Sequence, residues 1–285
     1  MFRRCSRTIV LTAVVAVTYV LVCNIFTLYH LSRSKPNYFV HQYGLIYLGH
    51  LNTIRNWTCK PVTLSTDPLP LTALASYPGS GNTWLRHLLQ QSTGIATGSE
   101  YVDLSLKHRG FPGEGINNAS VLVIKTHEYG NETLNKYHKA VLLIREPKEA
   151  LLAEFNRRYG GHLGHANKSN FKKDWTRFLL DEIDHWYQFN ARWLNFLRPL
   201  HVIMFDHLKQ NTSAEIAALL KFLNISISRK ELLCVIRNID GHFKRPAVSH
   251  YNGQLFKHSV EQTLAGHWKD LSQQVIQRQT DISIS

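Results

Sequence analysis

Apolar residues follow two alternating patterns along most of the chain. Short apolar runs, of a length typical of buried strands, lie at 71–75, 121–124, 139–144 and 201–205. Helical spacing of apolar residues separates and follows these runs, and it predicts helices at 82–91, 131–138, 147–159, 171–197, 212–223, 228–238 and from about 259. Strands that alternate with helices predict an α/β fold with a parallel sheet flanked by helices on both faces.

A charge-free apolar segment, 9–28, lies near the N-terminus. As a helix it would span about 30 Å, the thickness of a bilayer core. Arg3, Arg4 and Arg7 precede it, which favours a cytosolic N-terminus. We expect an uncleaved signal anchor, with a cytosolic tail at 1–8, a transmembrane helix at 9–29, a stem at 30–69 and a lumenal domain at 70–285. The alternative is a cleaved signal peptide, whose apolar core is usually shorter.

Glycosylation sequons and cysteines fit a lumenal body. Six N-x-[ST] sequons follow the anchor, at Asn56, Asn118, Asn131, Asn167, Asn211 and Asn224. Two of the four cysteines, Cys59 and Cys234, also follow it. In an oxidising lumen this pair can form a disulfide, and two buried thiols are the alternative.

The charge of the chain is strongly positive, with 33 Lys and Arg against 20 Asp and Glu. Such a balance suits anionic partners, among them nucleotides, acidic glycans and nucleic acid. The anchor and the sequons argue against nucleic acid. We expect no metal, because no Cys/His cluster has the spacing of a zinc site.

A turn rich in glycine and proline, Tyr77-Pro78-Gly79-Ser80-Gly81, joins the first predicted strand to a helix that begins Asn82-Thr83-Trp84. Backbone N–H groups and a helix dipole make such a turn an anion site, although an ordinary strand-to-helix turn has the same composition. An ATP-binding loop of the G-x-x-x-x-G-K-[ST] form would require a lysine where this chain has Asn82.

Two more polar clusters follow predicted strands, Lys125-Thr126-His127 and Arg145. Because parallel strands end at one edge of a sheet, we expect both clusters to converge on the glycine turn. Lys125 and His127 project to the same face of a strand, which pairs a cation with a base. A guanidinium such as that of Arg145 can bind a phosphate through two parallel hydrogen bonds.

These segments resemble those of the sulfotransferase family. The resemblance covers four segments of the family. Its 5′-phosphosulfate loop, Y-P-x-S-G-x-T-W, is matched at Tyr77, Pro78, Ser80, Gly81, Thr83 and Trp84, and its K-T-H segment at Lys125, Thr126 and His127. Its 3′-phosphate segment, R-x-P-x-x-x-x-x-S, is matched at Arg145, and its F-[RK]-[RK]-G segment at Lys244 and Arg245. It implies a P-loop-like fold, 3′-phosphoadenosine 5′-phosphosulfate as co-substrate and no metal. It also implies that His127 removes the proton of the acceptor hydroxyl, while Lys125 holds sulfonate or phosphate oxygens.

Four positions depart from the family pattern. Gly79 stands where many members carry Lys or Arg, Ala153 replaces a serine, Phe205 lacks a phenol oxygen, and Pro246 replaces a glycine. The departures at Gly79, Ala153 and Phe205 each remove a contact, and they leave open a membrane-tethered nucleotide- or glycan-binding protein without turnover.

Rival residues exist for two roles. Glu128 and Glu154 are alternative general bases, and Arg86 is an alternative to Lys125 as the cation that replaces a side chain at Gly79.

The sequence of residues 76–86, S-Y-P-G-S-G-N-T-W-L-R, looks similar to that of the WSC-domain-containing sulfotransferase-like group. That likeness implies a single-pass type II enzyme of the Golgi membrane that sulfates a glycan hydroxyl, with sialic acid as one candidate acceptor. No WSC domain is expected, because two lumenal cysteines are too few for one.

Overall fold

A single parallel sheet organises the part of the chain that the computed structural model describes, residues 59–241, 244–245 and 255–284. Its strand order is β2-β3-β1-β4-β5. The strands are β1 (Thr72–Ser76), β2 (Gly98–Ser99), β3 (Ile124–Thr126), β4 (Lys139–Ile144) and β5 (Leu200–Met204). All neighbouring pairs are parallel, which confirms the predicted α/β class.

Nine helices lie in the described residues, and seven of them were predicted from apolar spacing. They are α1 (Asn82–Thr93), α2 (Leu104–His108), α3 (Asn131–Lys136), α4 (Pro147–Gly160), α5 (Lys168–Leu194), α6 (Phe205–Gln210), α7 (Thr212–Phe222), α8 (Arg229–Arg237) and α9 (His258–Ile284). The two short helices α2 and α6 were not predicted, nor was β2. The apolar pattern placed Phe205 in the last strand, but this residue begins α6.

Helices cover both faces of the sheet, as the sequence predicted. Side chains alternate between the two faces of a strand. In β1, Ala73 and Ala75 pack into a core with residues of α4, α5 and α9. Leu74, between them, packs into a second core with residues of α1, α7 and α8. Both faces are therefore buried, as is typical of parallel sheets.

A disulfide joins Cys59 to Cys234 in α8, with a Cα–Cα distance of 5.8 Å. Of the two alternatives for these cysteines, the structure contains the disulfide. The segment just after α8 adjoins α1, since the Trp84 Nε1–H donates to the carbonyl of Ile239 at 2.7 Å. The chain that follows α8 is thereby held beside the glycine turn.

The predicted tail, the transmembrane helix, most of the stem and Asn56 lie outside the described residues. Within 59–241, 244–245 and 255–284, no helix is long and apolar enough to cross a bilayer. The described end of the stem docks on the domain, where Thr63 and Ile95 form a parallel bridge. The five sequon asparagines beyond Asn56 are all exposed, Asn224 included.

Candidate active site

The glycine turn after β1 adopts a conformation that depends on its glycines. Gly79 has φ +82° and Gly81 φ +98°, in the left-handed region that favours glycine. A Cβ atom on Gly79 would lie 2.5 Å from the Ala150 carbonyl oxygen and 2.7 Å from the Glu154 nitrogen. Both contacts are in α4, so no side chain fits at position 79. The family's cation is therefore absent for a steric reason.

The N-terminus of α1 presents unpaired backbone donors. Gly81 caps the helix without a side-chain hydrogen bond, and the Leu85 N–H donates to its carbonyl at 3.0 Å. The N–H groups of Asn82, Thr83 and Trp84 have no acceptor within the helix. Ser80 Oγ is buried and has no partner in the described structure. The three N–H groups fit an anion such as the 5′-phosphosulfate of the predicted co-substrate.

Tyr77 differs from the other residues of the turn, because its side chain faces the core. The ring is fully buried, and its hydroxyl donates to Glu182 Oε2 in α5 at 2.6 Å. Burial and the Glu182 charge raise the pKa of Tyr77. Tyr77 fixes the start of the turn and, like Ser80, does not line the cavity described next.

A cavity of about 1070 Å³ opens where β1, β3 and β4 end. The predicted site residues that line it are Pro78, Gly79, Gly81, Asn82, Thr83, Trp84, Lys125, His127, Arg145, Lys244 and Arg245. The expected convergence of the three polar clusters on one site is confirmed. Among the described residues, no group of three or more His, Cys, Asp or Glu is arranged to hold a metal ion.

His127 is held as a neutral base. Its Nδ1 lies 2.7 Å from the carbonyl oxygen of Ser76, which can only accept, so the ring proton is on Nδ1 and Nε2 carries the lone pair. Burial, followed by the Lys125 charge, lowers the pKa of His127 to about 3. The ring stacks on Tyr101 with centroids 5.6 Å apart. The His127 N–H also donates to the Tyr101 hydroxyl at 3.0 Å.

Of the two candidate cations, only Lys125 reaches the cavity. Lys125 is 9% exposed, and burial with the charge of Arg86 lowers its pKa to about 8. Arg86 is fully buried and bonds Glu114 and Thr97 instead. A lysine with a lowered pKa in a cavity is a mark of a functional site.

The two rival bases differ in their availability. Glu154 is 1% exposed, and both of its carboxylate oxygens are paired with Arg157 and Arg158. Glu128 is exposed, lines the cavity and accepts the Tyr101 hydroxyl at 3.0 Å. The geometry favours His127 over Glu154 and leaves Glu128 as the control to test.

Arg145 holds the glycine turn from the side of β4. Its Nη1 donates to the Gly79 carbonyl at 3.0 Å, and its Nε and Nη2 bond one Glu149 oxygen. The guanidinium carbon lies 4.4 Å from the centroid of the Phe205 ring. Phe205 therefore supports Arg145 by a cation–π contact where the family pattern has a phenol.

Arg245 lies where the family's serine is missing. Its Nη1 donates to the Ala153 carbonyl and its Nη2 to that of Gly161, both at 3.1 Å. Its Nε is buried without a partner in the described structure. Lys244 is mostly exposed and pairs with Asp240. Phe243 and Pro246, the other members of this segment, lie outside the described residues.

Three features of the cavity wall were missed by sequence reasoning. Two are the side chains of Tyr101 and His185, of which His185 lies 3.2 Å from Glu182. The third is a contact of 2.6 Å between His162 Nε2 and Asp103. Tyr101 follows β2, a two-residue strand that carries no apolar pattern, so no signal marked it.

A parallel sheet whose strand ends gather a glycine turn, a neutral histidine, a buried lysine and arginines defines an α/β protein with a candidate site for an anionic ligand. Residues 70–271 match the Sulfotransferase domain family model, so the chain belongs to the sulfotransferase family. This confirms the resemblance drawn from the motifs.

Curated relatives of the chain are WSCD family members. One from Aedes aegypti, WSCD family member AAEL009094, is 45% identical over 186 residues, which cover 64% of this chain and 59% of that protein. One from Drosophila melanogaster, WSCD family member CG9164, is 44% identical over 190 residues, which cover 65% of this chain and 60% of that protein. The chain spans about three fifths of the length of these relatives.

A solved structure, mouse sulfotransferase SULT7A1 complexed with PAP, aligns with 70% of this chain and 84% of that one. The TM-score is 0.49 and the sequence identity 15%.

Proposed function

We propose that the protein transfers a sulfonate group from 3′-phosphoadenosine 5′-phosphosulfate to a hydroxyl of a glycan. The observation that carries the proposal is the environment of His127. Its Nδ1–H is fixed on Ser76, which leaves Nε2 as the proton acceptor in a cavity shared with Lys125 and the glycine turn. A hydroxyl is a weak nucleophile until a base removes its proton, and the neutral imidazole has a free lone pair at Nε2 that can accept it.

The reaction is an in-line displacement at sulfur. The acceptor oxygen forms a bond to sulfur while the bond from sulfur to the 5′-phosphate oxygen breaks. His127 Nε2 takes the hydroxyl proton, and the electron pair of the broken bond stays on the departing phosphate. Lys125 and the N–H groups of Asn82 and Thr83 face the charge that develops there.

The 3′-phosphate of the donor is assigned to Arg145 and Arg245. Both line the cavity, where Arg145 donates to the Gly79 carbonyl and Arg245 to the Ala153 carbonyl. Arg245 compensates for the missing serine, because its guanidinium reaches the Ala153 carbonyl. The Glu149 carboxylate on Arg145 is exposed, so it can yield to a phosphate at small cost.

We assign the protein to the Golgi membrane as a single-pass type II protein with a glycan acceptor, for which sialic acid is one candidate. Support comes from the apolar segment 9–28 behind three arginines, the exposed sequons and the disulfide, since disulfides persist in oxidising compartments. Glycosidase treatment should lower the apparent mass, and an N-terminal tag should stay attached and cytosolic. A glycan-free protein or a lost tag contradicts this topology.

Transfer from labelled donor to a glycan array tests the proposed reaction. His127→Ala should lower turnover by about 10²–10⁴, the usual effect of losing a general base, and should still bind adenosine 3′,5′-bisphosphate. Glu128→Gln is the matched control and should keep most of the activity. If His127→Ala keeps normal turnover and Glu128→Gln loses it, the general base is the Glu128 carboxylate and not His127. Wild-type protein that binds the bisphosphate but modifies no hydroxyl supports the non-catalytic alternative.

A further inference from the structure

Arg157, on α4, holds a fixed cation in the cavity wall. Its Nε and Nη2 donate to the two oxygens of Glu154 at 2.6 and 2.7 Å. Glu154 is 1% exposed, so the carboxylate that orients the guanidinium is itself anchored in the core. Arg157 Nη1 bonds none of the described residues, which leaves donors available to a ligand in the cavity.

The anchor of Arg157 lies directly behind the glycine turn. A Cβ atom on Gly79 would lie 2.7 Å from the Glu154 nitrogen and 3.2 Å from the Glu154 Cβ. The same contact that forbids a side chain at Gly79 therefore places an arginine-bearing turn of α4 against the loop. The structure supplies the cation from α4 instead of from the loop.

The charge of Arg157 acts on the reacting end of the cavity. Burial lowers the pKa of both Lys125 and His127, and the Arg157 charge is among the further causes for each. Two cations that face one cavity repel each other, and an anion bound between them removes that cost. Sulfonate transfer adds negative charge to the 5′-phosphate, where such a pair of cations is most effective.

Arg158, the next residue, provides a contrast. Its side chain is 42% exposed against 44% for Arg157, and it also bonds Glu154. Its second partner, however, is Glu182 in α5, and it is not among the cavity residues. Arg158 ties α4 to α5, whereas Arg157 faces the ligand space.

We propose that Arg157 is a further catalytic residue, whose guanidinium contacts the 5′-phosphosulfate end of the donor and stabilises the departing phosphate. This inference rests on the proposed sulfonate transfer. No bond in the reaction changes at Arg157, which acts only through its charge and its N–H donors.

The test compares Arg157→Gln, Arg157→Lys and Arg158→Gln in the full chain. Arg157→Gln should lower kcat by about 10²–10³, the usual effect of losing one donor to a developing anion. Arg157→Lys should recover part of the loss, because it keeps the charge without the planar fork. Arg158→Gln should lower the melting temperature and leave kcat within a few-fold of wild type.

Binding of donor fragments separates this role from a structural one. Arg157→Gln should weaken the binding of adenosine 5′-monophosphate and leave the binding of adenosine 3′-monophosphate unchanged. A kcat loss no larger than that of Arg158→Gln, or a loss confined to the 3′-monophosphate, overturns the assignment. If wild-type protein neither binds the bisphosphate nor transfers sulfonate, the proposed function fails and this inference with it. Wild-type turnover with an unaffected Arg157→Gln variant rejects the inference alone.

Discussion

Lys125 should make donor binding sensitive to mild alkali. Its pKa in the free protein is lowered to about 8 by burial and by neighbouring cations. A bound anion favours the charged amine and raises this pKa, so the protonated form binds more tightly. The affinity for the donor is therefore highest well below pH 8 and falls as the pH rises through that value.

The size of the effect follows from the fraction of Lys125 that is charged. At a pKa of about 8, roughly nine tenths of the molecules carry the charge at pH 7 and roughly one tenth at pH 9. Affinity for adenosine 3′,5′-bisphosphate should therefore fall about tenfold, or about 1.4 kcal/mol, over that interval. The phosphates do not contribute, because their second ionisation, near pH 6, is nearly complete at pH 7.

Calorimetric titration with adenosine 3′,5′-bisphosphate at a series of pH values measures this dependence. Lys125→Met should bind at pH 7 no more tightly than wild type does at pH 9, with little further change as the pH rises. Lys125→Arg keeps its charge throughout and should also remove the slope. A wild-type affinity that stays constant from pH 7 to 9, or an equal decline in Lys125→Met, refutes the reasoning.

Two further predictions concern the frame of the site. Gly79→Ala should weaken bisphosphate binding and lower stability by more than the 1–2 kcal/mol or so of positive-φ strain, because its Cβ meets α4. Gly110→Ala, with φ +99° and no neighbour within 4 Å, measures the strain alone, so equal losses contradict the packing. Cys234→Ser should cost up to about 5 kcal/mol in a chain-entropy model, because the bond closes a separation of 175 residues. A reductant should then lower the melting temperature of wild type only, and no shift in wild type contradicts a stabilising disulfide.

The sheet and the core of the site could be predicted because their signals are local and repeated. Residues 139–144 form an unbroken apolar run, and the strand occupies the same positions. His127 and Arg145 each follow an apolar run, and parallel strands end at one edge. Topology alone therefore brought these side chains together, without knowledge of any contact.

What could not be predicted depends on contacts between distant residues. β2 is only Gly98–Ser99, and it is a strand because β3 pairs with it. The motif predicted that Tyr77 contacts the co-substrate, whereas in the structure its hydroxyl bonds Glu182, 105 positions away. Gly79 was recognised as a departure, but its cause, the backbone of α4, is visible only in three dimensions.

The bond between Cys59 and Cys234 sets an order of events during synthesis. The two cysteines are 175 positions apart, and all five strands of the sheet lie between them. At about 5–20 residues per second, Cys59 waits roughly 10–35 s before its partner has been made. The disulfide can therefore close only after the residues of all five strands have been synthesised. Until then the Cys59 thiol has no Cys234 to pair with, and the rate of synthesis sets the shortest time for which it stays open to other oxidants.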